Sequence, residues 1–204
     1  MDQAQRIEFL DQSKAHFKAD MLLKGTYSAE NAANFKGCSV GCHLHHIFPD
    51  ADAAEISDMD EKHFKVSKYY GYPEWLALLQ DTVFEGLPNG ESAKWHVQLA
   101  ETLHSLPDDY DWQAALHRCH VAILRVVLPT AGTSTEAVQT VIDLHDRAET
   151  DPAAWSAARS AAWSAAWSPA ESAARSAAES AAWSAAESAA YQKIRDGVFA
   201  ALVA

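Results

Sequence analysis

The segment from Gly37 to His46 concentrates the side chains of this sequence that could do chemistry. Its ten residues hold two of the chain's three cysteines, Cys38 and Cys42, and three of its ten histidines. Thiols and imidazoles bind soft and borderline metal ions and take part in nucleophilic and proton-transfer reactions near neutral pH. We therefore expect any chemistry of this protein to begin in this segment.

A metal site is the first hypothesis for this segment. If residues 38–46 form a helix, Cys38 and Cys42 stand about one turn apart on the same face, together with His45 or His46. Two sulfur atoms and one nitrogen would then reach a single tetrahedral ion, and Zn²⁺ or Fe²⁺ would suit these donors. A fourth ligand would have to come from another segment, and the candidates are His63, Glu85 and the His117-Arg118-Cys119-His120 segment.

Thiol chemistry is the second hypothesis. Gly37 can end one helix and leave Cys38 in the first turn of the next, where the helix dipole lowers the pKa of a thiol. Cys38 or Cys42 would then be the nucleophile, with His45 as general base and Glu85 as the carboxylate that orients it. A structural alternative stays open, because buried free cysteines also pack as small hydrophobic side chains.

Most other histidines stand alone in the sequence. We interpret these isolated residues as surface side chains and not as ligands: His16, His96, His104 and His145.

The spacing of apolar residues predicts an all-α protein. Helical periodicity runs through residues 2–24, 73–87, 91–105 and 109–128, and a further helix is expected to start at Ser134 or Thr135. No segment shows the period-two alternation of a half-buried strand. The sequence therefore predicts an irregular helical bundle over residues 1–150, which carries the Cys/His cluster.

The last quarter of the chain, residues 151–204, has a different composition. From Trp155 to Tyr191 it repeats the tetrad Ser-Ala-Ala-X, in which X is often tryptophan. Alanine is the strongest helix former, and Ser168-Pro169 is a second helix-start signal, so a helical hairpin or a kinked helix is predicted. The tryptophans would pack this segment on the bundle or on another chain, which predicts self-association or a protein partner.

Composition and charge exclude several other classes. The 204-residue chain has a net charge of −12, which argues against binding to nucleic-acid phosphates. No apolar stretch approaches the roughly 20 residues that cross a bilayer, and the N-terminus lacks the pattern of a signal peptide. We therefore expect a cytoplasmic protein with reduced cysteines and without a membrane partner.

Residues 36–45, Lys-Gly-Cys-Ser-Val-Gly-Cys-His-Leu-His, resemble the Cys-x-Val-Gly-Cys-x-Leu-His signature of a family of uncharacterised bacterial and phage proteins. Residues 73–76 and 81–87 are similar to further segments of that family, whose members often end in Ala/Ser-rich repeats. The family has no assigned activity. The resemblance implies only that Cys38, Cys42 and His45 are signature positions, and that His43 and His46 are particular to this chain.

Two functions are consistent with these patterns. One is a metal-binding or thiol-dependent protein that acts on or binds a small molecule through Cys38, Cys42 and His45, with Glu85 or His120 completing the site. The other is a non-enzymatic helical interaction protein, of phage origin, that binds a host protein and whose cysteines are structural. The sequence patterns do not identify a reaction for either function.

Overall fold

The computed structural model describes residues 1–28, 35–151 and 183–204. These residues form α-helices, short 3₁₀ turns and loops, and the strand-like pairing among them is a single parallel bridge between Leu22 and Gly37. The predicted all-α fold is confirmed for this part of the chain. The predicted hairpin or kink of the repeat segment falls mainly on residues 152–182, which lie outside the described residues.

The described residues divide into two compact units, Met1–Tyr110 and Asp111–Ala204. The described part of the first unit contains six α-helices: α1 (Gln3–Lys18), α2 (Ser39–Ile47), α3 (Ala53–Asp58), α4 (Lys62–Tyr70), α5 (Glu74–Gly86) and α6 (Asn89–Ser105). In this unit α1 packs along α6, and α2 packs against α4 and α5.

Local capping explains where several of these helices begin and end. Asp2 caps α1 and Asp52 caps α3, each through a reciprocal capping box.

The first helix stops at Lys18 and not near Gly25 as the apolar pattern predicts. Asp20 adopts a left-handed conformation (φ 54°), and the Met21 N–H donates to the His16 carbonyl oxygen at 3.1 Å, which turns the chain out of the helix.

The second unit contains α7 (Trp112–Val127), α8 (Thr135–Thr150) and α9 (Trp183–Val203) among its described residues. The helix α7 packs against both α8 and α9. Its contact with α9 is close, because Gly197 faces Ala122 and a Cβ at Gly197 would lie 3.1 Å from the Ala122 Cβ. Residues 111–150 belong to the same compact unit as the C-terminal helix.

None of the described helices combines the length and the apolar character needed to cross a membrane.

Candidate functional site

Cys38 is the N-cap of α2 and does not lie inside the helix. Its backbone is extended (φ −66°, ψ 178°), and its Sγ accepts a hydrogen bond from the Gly41 N–H at 3.4 Å. The Cys38 N–H donates to the Thr26 carbonyl oxygen at 2.7 Å, which ties this turn to the preceding loop. Gly37 and Gly41 permit this close approach, since a Cβ on either would overlap the carbonyl oxygen of Tyr27.

This N-cap brings the Cys38 thiol to two carboxylates of α5. Candidate ligand atoms of Cys38, Asp81 and Glu85, which we call the thiol–carboxylate group, lie within 4.8 Å of one another. Asp81 and Glu85 are four residues apart, so one turn of α5 places both on the same face. Cys38 is buried, and Asp81 and Glu85 are of intermediate exposure.

Neighbouring polar groups engage one oxygen of each carboxylate. The Tyr27 hydroxyl donates to Asp81 Oδ2 at 3.1 Å, and His63 Nε2 lies 3.1 Å from the same oxygen. The Gly25 N–H donates to Glu85 Oε2 at 2.8 Å. Asp81 Oδ1 is buried and has no hydrogen-bond partner, which is unusual for a carboxylate oxygen.

The surroundings of the thiol–carboxylate group disfavour a free thiolate. Burial raises the pKa of the Cys38 thiol well above its usual value, and the adjacent Asp81 raises it further. Burial also raises the pKa of Glu85, and Asp81 adds to that effect. A protonated thiol is a poor nucleophile, so these effects oppose the activation that a helix N-terminus would provide. A bound cation would favour the deprotonated forms instead.

A second group of candidate ligands lies in the core of the first unit. His16 of α1, His43 of α2 and His96 of α6, which we call the three-histidine group, each place one ligand nitrogen within 4.8 Å of the others. Their side chains are 4%, 0% and 1% exposed. The His43 and His96 rings are stacked with centroids 5.0 Å apart, and the His16 ring lies 5.3 Å from His43 in an edge arrangement.

Two hydroxyl groups lie beside the three-histidine group. Ser39 Oγ lies 2.7 Å from His96 Nδ1, and Tyr70 Oη lies 3.2 Å from His43 Nδ1. His16 Nδ1 and His96 Nε2 are buried without a hydrogen-bond partner.

The three rings are neutral at neutral pH. Burial lowers the pKa of His16 to about 4, and it lowers the pKa values of His43 and His96 well below their usual range. The neutral imidazole is the form that binds metal ions, so no proton has to leave these rings before an ion binds.

Of the predicted site residues, the described structure brings Cys38 and Glu85 together. Neither of the two groups contains Cys42, His45 or His46. The predicted ligand set assumed that Cys38 lies within the helix, one turn before Cys42. As the N-cap, Cys38 instead turns toward Gly41 and α5.

The other predicted residues have different contacts. The Cys42 thiol is buried against the carbonyl oxygens of Gly37 and Met21, at 3.5 and 3.6 Å. His45 stacks on Phe35, with ring centroids 4.1 Å apart, and His46 Nε2 lies 3.0 Å from Glu8 Oε1. His120 belongs to α7 of the second unit, where its ring lies 4.6 Å from that of His145.

Sequence reasoning missed Asp81 and the three-histidine group. The interpretation of His16, His96 and His145 as surface residues is wrong, since all three are buried, whereas His104 is exposed. The four-residue spacing of Asp81 and Glu85 on a predicted helix could have indicated a paired carboxylate site. No local signal joins the three histidines, because they come from helices far apart in the chain.

Comparison with known proteins adds no further constraint. The resemblance of residues 36–45 to the bacterial and phage family stays a prediction. No protein-family model, no curated protein and no solved structure matches this chain.

Proposed function

We propose that this protein binds a divalent transition-metal ion, with Zn²⁺ as the best match, at the thiol–carboxylate group, and uses it to bind a small molecule. The observation that carries the proposal is the convergence of Cys38 with Asp81 and Glu85, whose candidate ligand atoms lie within 4.8 Å of one another. Cys38 caps α2, whereas Asp81 and Glu85 lie in α5, so the group depends on the packing of α2 on α5.

The donor set selects the class of metal. A thiolate with two carboxylates suits Zn²⁺ and its first-row neighbours, whereas Mg²⁺ and Ca²⁺ favour oxygen ligands alone. The Tyr27 hydroxyl and His63 engage Asp81 Oδ2, and the buried Oδ1, which has no hydrogen-bond partner, would bind the ion. Partners of this kind orient ligand side chains in metal sites.

The number of protein ligands suggests how a small molecule would bind. Zinc sites with three protein ligands keep one coordination position for water or for an oxygen of a substrate, whereas structural zinc sites are closed by four. In this proposal the free coordination position would lie on the side of the partly exposed Glu85. The proposal is therefore metal-dependent binding of a small molecule with an anionic or carbonyl oxygen.

The alternative function has less support. The helical interaction protein predicted from the tryptophan repeats depends largely on residues 152–182, outside the described residues, and stays a prediction. A thiol nucleophile is disfavoured because burial raises the pKa values of Cys38 and, to about 12, of Cys42.

A titration of the full chain with Co²⁺ tests the proposal. Co²⁺ replaces Zn²⁺ in such sites, and its bond to a thiolate gives a charge-transfer absorption in the near ultraviolet. We expect this absorption in the wild-type chain and in Cys42→Ser, and its loss in Cys38→Ser. Glu85→Gln should weaken Co²⁺ binding roughly tenfold or more, whereas Glu101→Gln, at an exposed position of α6, should not.

The same Co²⁺ titration can also contradict the proposal. If the wild-type chain shows no thiolate absorption with Co²⁺, or if Cys38→Ser retains it, the thiol–carboxylate group does not bind the ion. An equal loss in Cys42→Ser and Cys38→Ser would likewise contradict the assignment of Cys38 as the thiolate ligand.

A further inference from the structure

We infer that the three-histidine group is a second metal site, at which a divalent first-row ion binds His16, His43 and His96 and links α1, α2 and α6. This inference does not depend on the thiol–carboxylate group, because it uses different residues and different donor atoms. It assigns a buried ion to the core of the first unit.

The unpartnered nitrogens are the first argument. His16 Nδ1 and His96 Nε2 are buried without hydrogen-bond partners, on side chains that are 4% and 1% exposed. Buried polar atoms nearly always have a partner, since leaving one unpaired is destabilising. Here two such atoms belong to histidines of different helices that come together in one group. A metal ion would satisfy both nitrogens at once.

The polar partners of His96 are the second argument. A histidine that binds a metal through one nitrogen usually donates a hydrogen bond from the other, which orients the ring. Ser39 Oγ lies 2.7 Å from His96 Nδ1, on the ring nitrogen opposite the unpartnered Nε2. Ser39 Oγ also accepts a hydrogen bond from Gln80 Nε2 at 2.6 Å, and Gln80 Oε1 accepts one from the Tyr72 hydroxyl at 2.8 Å. This buried chain of hydrogen bonds holds the His96 ring in place.

His43 occupies the centre of the group and has partners of its own. Its ring is stacked on Phe9, with centroids 4.5 Å apart, and its Nδ1 lies 3.2 Å from the Tyr70 hydroxyl. Its Nε2 lies 3.4 Å from Ser13 Oγ, at the long limit of a hydrogen bond. The His43 Nε2 is therefore weakly engaged and can serve as the third ligand.

The donor set indicates the ion. Imidazole nitrogens suit Zn²⁺, Cu²⁺, Ni²⁺ and Fe²⁺, whereas Mg²⁺ and Ca²⁺ require oxygen ligands. Three nitrogens account for three positions of a tetrahedral zinc ion, and water or hydroxide would occupy the fourth. All three side chains are at least nine-tenths buried, so this ion would exchange slowly and would stabilise the folded chain.

A Zn²⁺ titration in the Cys38→Ser background tests the inference separately from the proposed function. This variant lacks the thiol of the first site, so we expect it to bind one Zn²⁺ per chain by calorimetry. The thermal midpoint should rise by about 5 °C at saturation and return on chelation. Adding His16→Gln or His96→Gln should remove this binding, whereas adding His104→Gln, an exposed position on the same helix as His96, should not.

Histidine NMR spectra of the unmodified chain keep the test independent of whether the variants fold. We expect the ring nitrogen signals of three buried histidines to shift in slow exchange as Zn²⁺ is added, in addition to any change at the thiol–carboxylate group. Unchanged histidine signals, or equal loss of Zn²⁺ binding in the His104→Gln control, would overturn the inference. Loss of the thiolate absorption with Co²⁺ while these shifts persist would contradict only the proposed function.

Discussion

Ser39 Oγ lies 2.7 Å from His96 Nδ1, although the two residues are 57 positions apart in the chain. The preceding residue, Cys38, belongs to the thiol–carboxylate group and not to the three-histidine group, of which His96 is a member. The two side chains diverge because Cys38 caps α2 with an extended backbone while Ser39 begins the helix. The start of α2 therefore contributes to both candidate metal groups.

Replacing Ser39 with alanine should weaken zinc binding at the three-histidine group by roughly 10- to 100-fold, because the orientation of the His96 ring is lost. It should also destabilise the fold by about 1–3 kcal/mol, since Gln80 Nε2 loses its acceptor. The matched control is Ser67→Ala, which removes a buried hydroxyl that donates only to the Phe64 carbonyl oxygen at 3.0 Å. Equal zinc affinities of the two variants by calorimetry would contradict the role of Ser39.

Gly41→Ala should destabilise the first unit by about 3 kcal/mol or more, because the added Cβ would overlap the Tyr27 carbonyl oxygen and backbone atoms cannot move aside easily. Gly90→Ala is the control, since a Cβ at this position of α6 meets no atom within 4 Å. That change should be neutral or stabilising by up to about 1 kcal/mol. Urea unfolding of both variants measures the difference, and similar midpoints would contradict the close approach at Gly41.

The three thiols should resist alkylation until the protein unfolds. Cys38, Cys42 and Cys119 are 2%, 0% and 1% exposed. Burial raises the pKa of Cys42 and of Cys119 from 9.0 to about 12, which lowers their thiolate fractions about a thousandfold. A thiol-reactive chromogenic disulfide should therefore detect no rapidly reacting thiol in the native chain and three in denaturant. Reaction of any native thiol at the rate of free cysteine would contradict this burial.

Acid should destabilise the chain partly through His145. Its Nδ1 lies 2.9 Å from that of His117, and burial, with contributions from His120 and His117, lowers its pKa from 6.5 to about 3. Between these values the unfolded chain binds a proton that the folded chain does not, so the free energy of unfolding falls as the pH falls. The slope for one such group is up to about 1.4 kcal/mol per pH unit.

His145→Gln removes this titration. The variant should be less stable than wild type at about pH 7, where the hydrogen bond to His117 is lost, and the difference should narrow toward about pH 4. Urea unfolding across this range measures both profiles, and His104→Gln serves as the exposed control. Parallel profiles for wild type and His145→Gln would rule out the contribution of His145.

Local sequence signals were sufficient to predict the all-α fold class and part of the candidate site. Apolar spacing and helix stop signals identify most described helices, because these signals act within a few residues. Cys38 and Glu85 were both predicted as site residues, on the reactivity of their side chains. The end of α1 was misplaced because its stop depends on the left-handed Asp20 and not on a glycine.

The composition of each metal group was decided only by the tertiary structure. Whether Cys38 faces Cys42 or Asp81 depends on its role as an N-cap, and that turn is held by the loop against which Gly37 and Gly41 pack. The meeting of His16, His43 and His96 depends on the packing of three helices. The sequence by itself determined which side chains are available and that helices carry them. Their partners were decided by long-range packing, because contacts between distant segments leave no periodic signal in the chain.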